Sequence, residues 1–427
     1  MNPAPQPEQT RPFRAPLAQA PWWWLSTLLI LGLVALIFHN RSPQHWLGFG
    51  DLPLWVDSHA ILSALDAHRA GLDVFKSNPY DLLSRPHSYS SLWLQLEHLG
   101  LTRWDQVPFG FACELFFLVP TLFLFRPSTL REALWIMGFF LCAPVLLAMD
   151  RANNDLVIFG LLCPVVPCLL SRSLLVRLFA PLLISLAAGL KYYPIIAACV
   201  LFVDPDRKSL RLSLAVFLAS AALVLYLVFD DLPKITATQP RPEGMLSMGG
   251  AILLQNLGLP KALSTPLSML LGAAVTTLAW CSPRLSDWSR AAATQWRYTS
   301  FILSASLLAG CFWTGSNWSY RTVFVIGMIP LLVAPVEVEL MPRFLRRSLP
   351  WLRAALILLF VSHTLCGVIN WAAGSEMSPP VNSMLWEQLW NALQYCYLLL
   401  SVAGTLLASN LIFMRVREQL RPHRADV

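Results

Sequence analysis

The chain is poor in charged residues. Asp, Glu, Lys and Arg make up 13% of its 427 residues, whereas soluble domains carry roughly 25%. Hydrophobic residues make up 56%, which is more apolar surface than one water-soluble core can cover. The composition therefore excludes a soluble globular domain and predicts an integral membrane protein.

Several motifs of soluble or nucleotide-driven proteins are also missing. No Gly-x-x-x-x-Gly-Lys-Ser/Thr loop and no Gly-x-Gly-x-x-Gly turn is present, which argues against ATP-driven transport and dinucleotide chemistry. The nine cysteines are scattered singly, with no Cys-x-x-Cys pair, and are interpreted as small core residues. No repeat of fixed period and no inverted repeat of the transporter kind is found.

Long apolar runs are abundant. A membrane-spanning helix needs about 20 mostly apolar residues, and such runs alternate here with short polar breaks. Gly189, Lys191 and Pro194 interrupt the stretch 174–203, which predicts two half-helices that meet at Lys191. We expect an all-α, polytopic integral membrane protein with about 10–12 transmembrane or re-entrant helices. The predicted spans are 22–38, 108–125, 132–149, 155–170, 210–229, 263–281, 299–315, 322–336, 351–371 and 389–413.

The distribution of Lys and Arg predicts the orientation. Cytoplasmic loops are enriched in these residues, and most of the 31 basic residues lie in inner segments if both termini are cytoplasmic. The net charge of +7 then reflects topology and contact with membrane lipids, without a nucleic-acid partner. We expect a membrane protein whose termini are both cytoplasmic. Its expected parts are a disordered tail (1–20), a transmembrane domain (21–414) with a retained first anchor, and a basic tail (415–427).

Polar clusters collect on the predicted outer face. The long first external loop, 39–107, holds six of the eight histidines, and apolar residues from Val56 to Leu65 recur at helical spacing. This pattern predicts an amphipathic helix in the membrane interface, with Asp57 in its first turn. The other clusters are residues 149–155, residues 315–321 and the tip of the hairpin at Lys191.

These clusters together resemble the polyprenyl-phosphate-sugar-dependent glycosyltransferases of the C superfold, in particular family 87 and its uncharacterised bacterial relatives. Residues 150–155 (Asp-Arg-Ala-Asn-Asn-Asp) are similar to a Glu-Arg-Gly-Asn-Asn-Asp element, with Asp150 for Glu and Ala152 for Gly. Residues 189–194 are similar to a Gly-Leu-x-x-Lys-x-Tyr-Pro element, and 317–321 to an Asn-x-x-Tyr-Arg element. In the first loop the resemblance rests on Asp57 and on the segments 69–75, 78–81 and 85–89. Ser90 follows the last segment in place of an expected Pro.

The resemblance implies a helical bundle of the C superfold that takes a sugar from a polyprenyl-phosphate-linked donor at the outer face. The acceptor would be a hydroxyl of a glycan or a lipid. Asp57 is the candidate base, with Asp51 as the alternative. The leaving phosphate needs cations, for which Lys191, Arg151 and Arg321 are the candidates. The remaining candidate substrate-binding residues are Asp150, Asn153, Asn154, Asp155 and Tyr320.

Other roles for these residues stay open at this point. Asp57 could cap the helix that it begins, Arg151 could form an internal ion pair with Asp150 and Asp155, and Arg321 could snorkel at a helix end. No metal or other cofactor is predicted, although the acids and histidines of the loop leave a divalent cation as an alternative. A glycan ligase or polymerase, a non-catalytic scaffold and a lipid-carrier transporter are the competing functions.

Overall fold

The computed structural model describes residues 21–40, 53–239, 247–281, 296–315, 317–333, 343–373 and 383–420. These ranges fold almost entirely into helices, so the predicted all-α class is confirmed. The sheet content within them is one pair of two-residue strands. The tail 1–20 and Asp51 lie outside the described residues, and of the predicted basic tail 415–427 the first six residues continue the last helix.

The α-helices follow one another along the chain. In the first half they are α1 (Pro21–Asn40), α2 (Val56–Arg69), α3 (Gln106–Leu124), α4 (Leu130–Phe140), α5 (Ala143–Asp150), α6 (Asn154–Leu162), α7 (Val165–Leu169), α8 (Leu174–Arg177), α9 (Phe179–Leu190) and α10 (Arg207–Val228). In the second half they are α11 (Asp231–Thr238), α12 (Gly250–Asn256), α13 (Lys261–Cys281), α14 (Trp296–Trp313), α15 (Ile329–Val333), α16 (Arg343–Ala373) and α17 (Ser383–Leu420). The longer 3₁₀ helices cover Ser91–Leu99, Tyr193–Val203 and Ser319–Met328.

Short polar side chains begin several of these helices. The Thr129 side chain accepts a hydrogen bond from the Glu132 amide at the start of α4, and Asp206 accepts one from the Lys208 amide at the start of α10. Asn153 caps α6 by accepting from the Asp155 amide. Such caps satisfy amide groups that have no carbonyl partner in the first turn. They therefore set where the chain enters each helix.

Long apolar helices dominate the bundle. Within the described ranges five helices are long and apolar enough to cross a membrane, and the bent pair α4 and α5 raises the number to six. Five further apolar helices are only 10–17 residues long. The predicted set of about 10–12 transmembrane or re-entrant helices therefore corresponds to fewer full-length spans plus short elements.

The outermost helices expose apolar side chains. In the 18-residue apolar stretch of each helix, only 17% of α10 and 22% of α13 is buried inside the protein. Leu218 and Tyr226 on α10, and Leu270 on α13, are among the most exposed large side chains. An apolar surface of this extent is typical of helices that face lipid.

Two predicted spans differ from continuous helices. The predicted span 132–149 is broken at residues 141–142, where α4 and α5 meet at an angle of 53°. Pro144 lies in the first turn of α5, where proline is tolerated. Because proline lacks an amide hydrogen and its ring clashes with the preceding turn, it cannot continue α4. The predicted span 322–336 is in part the 3₁₀ helix Ser319–Met328, which is followed by α15.

The interruption predicted at Lys191 is confirmed. Lys191 is the C-cap of α9 in an extended conformation, and the 3₁₀ helix Tyr193–Val203 begins two residues later. The two halves pack against each other, so the chain reverses its direction at this point. Pro194 stands in the first turn of the second half, where its missing amide hydrogen costs little.

A small strand pair joins two distant parts of the chain. β1 (Ser247–Met248) pairs antiparallel with β2 (Asn317–Trp318). The Gln394 side chain of α17 accepts from the Gly249 amide and donates to the Ser247 carbonyl. Gly249 has φ 144°, and a Cβ there would collide with the Gly315 carbonyl. This junction fixes α12 beside the segment that leads to Tyr320 and Arg321.

The helix predicted around Asp57 is present as α2, but it is covered on both sides. Its apolar residues pack in a small core with Val74 and Leu94 of the following loop. The polar Asp57, Ser58 and Ser63 are buried as well. Protein therefore covers most of α2, whereas the sequence predicted an amphipathic helix in the membrane interface.

Candidate functional site

The four polar clusters meet in one cavity. Its volume is about 1160 Å³, and its walls include Asp57, Arg151, Lys191, Tyr320 and Arg321. Further lining residues come from the loop after α2, from α11 and α12, and from the start of α13. The cavity therefore joins segments that are far apart in the chain.

Two arginines and an amide hold the carboxylate of Asp57. Arg151 donates from Nη2 to Oδ1 over 2.8 Å and from Nε to Oδ2 over 3.0 Å. Arg85 donates from Nη1 to Oδ1 over 2.9 Å, and Asn153 from Nδ2 to Oδ2 over 2.6 Å. Arg85 also binds both oxygens of Asp81 and the Val56 carbonyl. Both oxygens of Asp57 are thus held in defined positions while the group faces the cavity.

These partners decide the protonation state of Asp57. Burial by itself would raise the pKa of this carboxyl, but the charges of Arg151 and Arg85 and the hydrogen bonds from Arg151 and Asn153 lower it to about 2. The pKa of Asp81 is likewise below its usual range, because the nearby His59 and the hydrogen bonds and charge of Arg85 outweigh the effect of burial. Asp57 is therefore an anion at every physiological pH.

Helix α3 holds the residues just before Asp57. Gln106 donates from Nε2 to the Leu54 carbonyl, and Glu114 accepts from the Trp55 indole nitrogen over 2.5 Å. Between them, Gly110 lies under the Trp55 ring, where a Cβ would come within 2.5 Å of ring atoms. Because Gln106, Gly110 and Glu114 are four residues apart, they share one face of α3. This face fixes Trp55, and Trp55 fixes the start of α2.

Backbone strain surrounds the same group. Within the described part of the chain, three residues other than glycine have positive φ: Trp55 (61°), Ser84 (51°) and Ala152 (43°). Ser84 and Ala152 are the direct neighbours of Arg85 and Arg151, and Trp55 is two residues from Asp57. Such conformations cost about 1–3 kcal/mol each and cluster at functional sites.

A second buried carboxylate organises the other cations. Asp155 accepts from Lys191 Nζ over 2.5 Å and from the Tyr193 hydroxyl over 2.7 Å, both on Oδ1. Its Oδ2 lies 3.5 Å from Arg321 Nε. The Arg321 guanidinium in turn stacks over the Tyr193 ring, 4.4 Å from its centroid. Asp155 therefore sets the positions of two cations that line the cavity.

The charge balance of the whole cluster is positive. Four cations, Arg85, Arg151, Lys191 and Arg321, face three carboxylates, Asp57, Asp81 and Asp155. One net positive charge remains among these seven groups, whose side chains are buried or only partly exposed. A ligand with one negative charge would balance it, because an uncompensated charge is costly in such a place.

No known protein family, curated protein or solved structure matches this chain.

The structure brings most of the predicted site residues together. Asp57, Arg151, Lys191, Tyr320 and Arg321 line the cavity, and Asn153 and Asp155 bind the charged groups from behind. The Asp150 carbonyl accepts from the Trp55 amide, so this residue supports the backbone of the site. Asn154 is buried at the first position of α6.

Two alternative roles are contradicted, and the internal ion pair of Arg151 forms with a different partner. Trp55 occupies the N-cap position of α2, and the Asp57 carboxylate binds arginines instead of capping the helix. The ion pair of Arg151 is with Asp57, and Asp155 pairs with Lys191 and Arg321. Arg321 does not snorkel, because it is 95% buried. In each case the contact depends on tertiary structure that spacing in the chain does not show.

Sequence reasoning missed two contributors. Arg85 bridges Asp57 and Asp81, and Tyr89 lines the cavity with its ring 5.8 Å from Lys191 Nζ. Both belong to the loop motif 85–89, so the motif was the available signal. His59 and His87 of the same loop are buried. Within the described ranges no group of three or more His, Cys, Asp or Glu residues could hold a metal ion.

Proposed function

We propose that this protein is a membrane glycosyltransferase that moves a sugar from a polyprenyl-phosphate-linked donor to an acceptor hydroxyl. The observation that carries the proposal is the cavity itself, in which the Asp57 carboxylate contacts Arg85 and Arg151 while Lys191 and Arg321 line the same space. Glycosyl transfer from a lipid phosphate needs these two elements, a base for the acceptor and positive charge for the leaving phosphate. The motif resemblance supports the same chemistry.

The net charge favours a monophosphate donor. A sugar linked to a lipid through one phosphate carries a single negative charge, which the one net positive charge of the cluster balances. Transfer breaks the bond between the sugar and the phosphate, so the phosphate gains negative charge as it leaves. Lys191 and Arg321 are suited to stabilise that charge, because Asp155 holds both side chains in place beforehand.

Asp57 would take the proton of the acceptor hydroxyl. As the hydroxyl oxygen bonds to the anomeric carbon, the bond from that carbon to the phosphate oxygen breaks, and the electron pair leaves with the lipid phosphate. The hydroxyl proton passes to the Asp57 carboxylate, which later releases it to water. A positioned base contributes about 10² to 10⁴-fold to the rate.

The arginines around Asp57 give the donor a second role. Because both oxygens accept hydrogen bonds from arginines, Asp57 is a weak base before the donor binds. A bound phosphate competes for Arg151 and Arg85, and each hydrogen bond that moves to the phosphate frees an oxygen of Asp57. Because fewer donors then stabilise the anion, the pKa of Asp57 rises. The base is therefore strengthened when the donor is in place.

The proposed setting is the bacterial inner membrane, with a helical bundle of the C superfold and the cavity open to the outer face. The apolar exposure of α10 and α13 supports a lipid environment. The distribution of Lys and Arg supports cytoplasmic termini. An enzyme that faces outward meets no nucleotide sugars, which is why the donor is a lipid-carried sugar.

Transfer of radiolabelled sugar tests the proposal. Membranes that contain the protein are incubated with a panel of polyprenyl-phosphate sugars and, separately, with polyprenyl-diphosphate glycans. Addition of one sugar from a monophosphate donor, by right-side-out vesicles but not by sealed inverted vesicles, supports it. Long products from the diphosphate donors would instead favour a ligase or polymerase. Lack of transfer from every donor by the folded protein would contradict enzymatic function.

A further inference from the structure

One wall of the cavity is polar but carries hydroxyl and amide groups in place of the ionic cluster. It is formed by the end of α11, by α12 and by the first turns of α13. Its hydrogen-bonding side chains are Thr236, Thr238, Gln239, Gln255, Asn256 and Thr265. Lys261, at the first position of α13, is the cation of this wall. We call this set of residues the amide wall.

The hydroxyl groups of the amide wall present acceptor lone pairs. Thr236 donates its proton to the Leu232 carbonyl over 2.7 Å, and Thr238 donates to the Lys234 carbonyl over 3.0 Å. Their oxygens can therefore accept hydrogen bonds from a ligand. The Gln255 amide supplies both donors and an acceptor. A ligand with several hydroxyl groups, each both donor and acceptor, matches this combination.

Aromatic rings border the same region. Trp318 and Tyr320 stack in parallel, with ring centroids 5.7 Å apart and planes at 5°. Both line the cavity, and Trp390 of α17 does so too. The face of a sugar ring that carries C–H groups is apolar and packs on such rings. Amides, hydroxyls and aromatic rings together form a typical carbohydrate-binding surface, and the apolar Ile235, Ala251, Ile252 and Ala262 on the same helices offer further contact to the C–H groups of a sugar.

The amide wall is held rigidly against the catalytic side. The strand pair β1–β2 joins the residues before α12 to Asn317 and Trp318. Gln394 binds both Ser247 and Gly249, and a Cβ on Gly250 would collide with the Ser268 hydroxyl of α13. The spacing between the amide wall and Arg321 is therefore set before any ligand binds, which lowers the entropy cost of binding.

We propose that the amide wall is a carbohydrate subsite and that it binds the acceptor as a glycan. This assignment rests on the proposed function, since the ionic cluster is taken there by the phosphate of the donor. The remaining polar surface of the cavity then meets the second substrate. Its chemistry selects a sugar hydroxyl over the hydroxyl of a protein side chain or of a simple lipid alcohol.

Two measurements on the full-length protein in detergent test this subsite. The first is the direct binding of octyl glycosides, which is measured by the change in intrinsic tryptophan fluorescence. Octanol is the control for the alkyl chain. The second is transfer from the active polyprenyl-phosphate sugar to an octyl glycoside, compared with release of the sugar to water. The variants are Gln255→Leu and Thr265→Val. Thr277→Val is the matched control, because Thr277 lies on the same helix with its side chain exposed outside the cavity.

For each wall variant we expect the Kd and the KM of the glycoside to rise about threefold to tenfold, as for the loss of a hydrogen bond. Thr277→Val should leave the Kd and the KM of the glycoside unchanged. Release of the sugar to water without an acceptor should be unchanged in every variant. An equal effect on donor-only release would move the subsite to the sugar of the donor and overturn the acceptor assignment. Absence of glycoside binding to the native protein would overturn the subsite altogether. Glycoside binding without any transfer would contradict the proposed function while retaining the subsite.

Discussion

Arg151 donates hydrogen bonds to both carboxylate oxygens of Asp57, with Nη2 2.8 Å from Oδ1 and Nε 3.0 Å from Oδ2. The two residues are 94 positions apart, and their backbones are also joined, since the Asp57 amide donates to the Arg151 carbonyl over 3.1 Å. This fork-to-fork contact is the strongest geometry available to a guanidinium and a carboxylate. It joins the first loop to the turn between α5 and α6 and fixes one side of the cavity.

The shared role of Asp155 predicts unequal effects of two substitutions. Asp155→Asn leaves Lys191 and Arg321 buried without their anion, so we expect the free energy of unfolding to fall by about 3–5 kcal/mol. Lys191→Met leaves Asp155 bonded to Tyr193 and close to Arg321, so its cost should be clearly smaller. Thermal unfolding of both variants in the same detergent measures the difference. Equal costs, or a larger cost for Lys191→Met, would contradict the shared-anion arrangement.

Substitution of Glu114 should lower turnover, although this residue contacts Trp55 and not Asp57. Glu114→Leu leaves the Trp55 indole N–H buried without its acceptor, which costs about 1–3 kcal/mol and loosens the start of α2. We expect a lower kcat with an unchanged KM for the donor, because Asp57 loses its fixed position while the cations remain. Glu114→Gln keeps an acceptor oxygen and should restore most of the activity. If the Gln variant is as impaired as the Leu variant, Glu114 acts by its charge and not through Trp55.

Ser84 offers a direct test of the strained backbone. It is exposed and has φ 51°, a conformation that glycine adopts without steric cost. Ser84→Gly should raise the free energy of unfolding by roughly 0.5–1 kcal/mol. Ser77→Gly makes the same change at an exposed loop position outside the left-handed region and should lower it slightly. Thermal unfolding that ranks the two variants in the opposite order would contradict the strain.

His87 predicts a loss of stability in mild acid. Burial lowers its pKa from 6.5 to about 4 in the folded protein. Below pH 6.5 the unfolded chain therefore binds a proton that the folded protein refuses, and stability falls until the folded pKa is reached. We expect unfolding measured from pH 7 to pH 4 to show a loss of up to roughly 3 kcal/mol from this residue. His87→Gln should remove that component, whereas His98→Gln, at an exposed position of the same loop, should retain it.

Much of the cavity could be predicted from the sequence because its residues lie in short polar motifs between apolar runs. A charged residue near a membrane is costly without a partner, so Asp57, Arg151, Lys191 and Arg321 were visible as candidates. The interruption at Lys191 was also visible, because glycine and proline flank it. These features depend on composition and local spacing, which one sequence displays.

The pairing of the charges could not be predicted in the same way. Arg151 has acidic neighbours in its own motif, yet it reaches Asp57 on another helix, and Asp155 turns to Lys191 instead. Arg85 was missed because its role exists only when the loop folds back over α2. The break between α4 and α5 was missed as well, since hydropathy remains high across it. Tertiary packing decides all of these features.

The central claim is that Asp57 is the base of a sugar transfer in this cavity, and kcat/KM of Asp57→Asn tests it most directly. The variant should be compared at matched expression with Asp66→Asn, which changes an acid on the same helix that binds Arg69 and Arg103 instead of facing the cavity. We expect kcat/KM for Asp57→Asn to fall by about 10² to 10⁴-fold, with donor binding retained and Asp66→Asn close to the native value. Equal transfer by Asp57→Asn and the native protein would contradict the assignment and direct attention to Asp51.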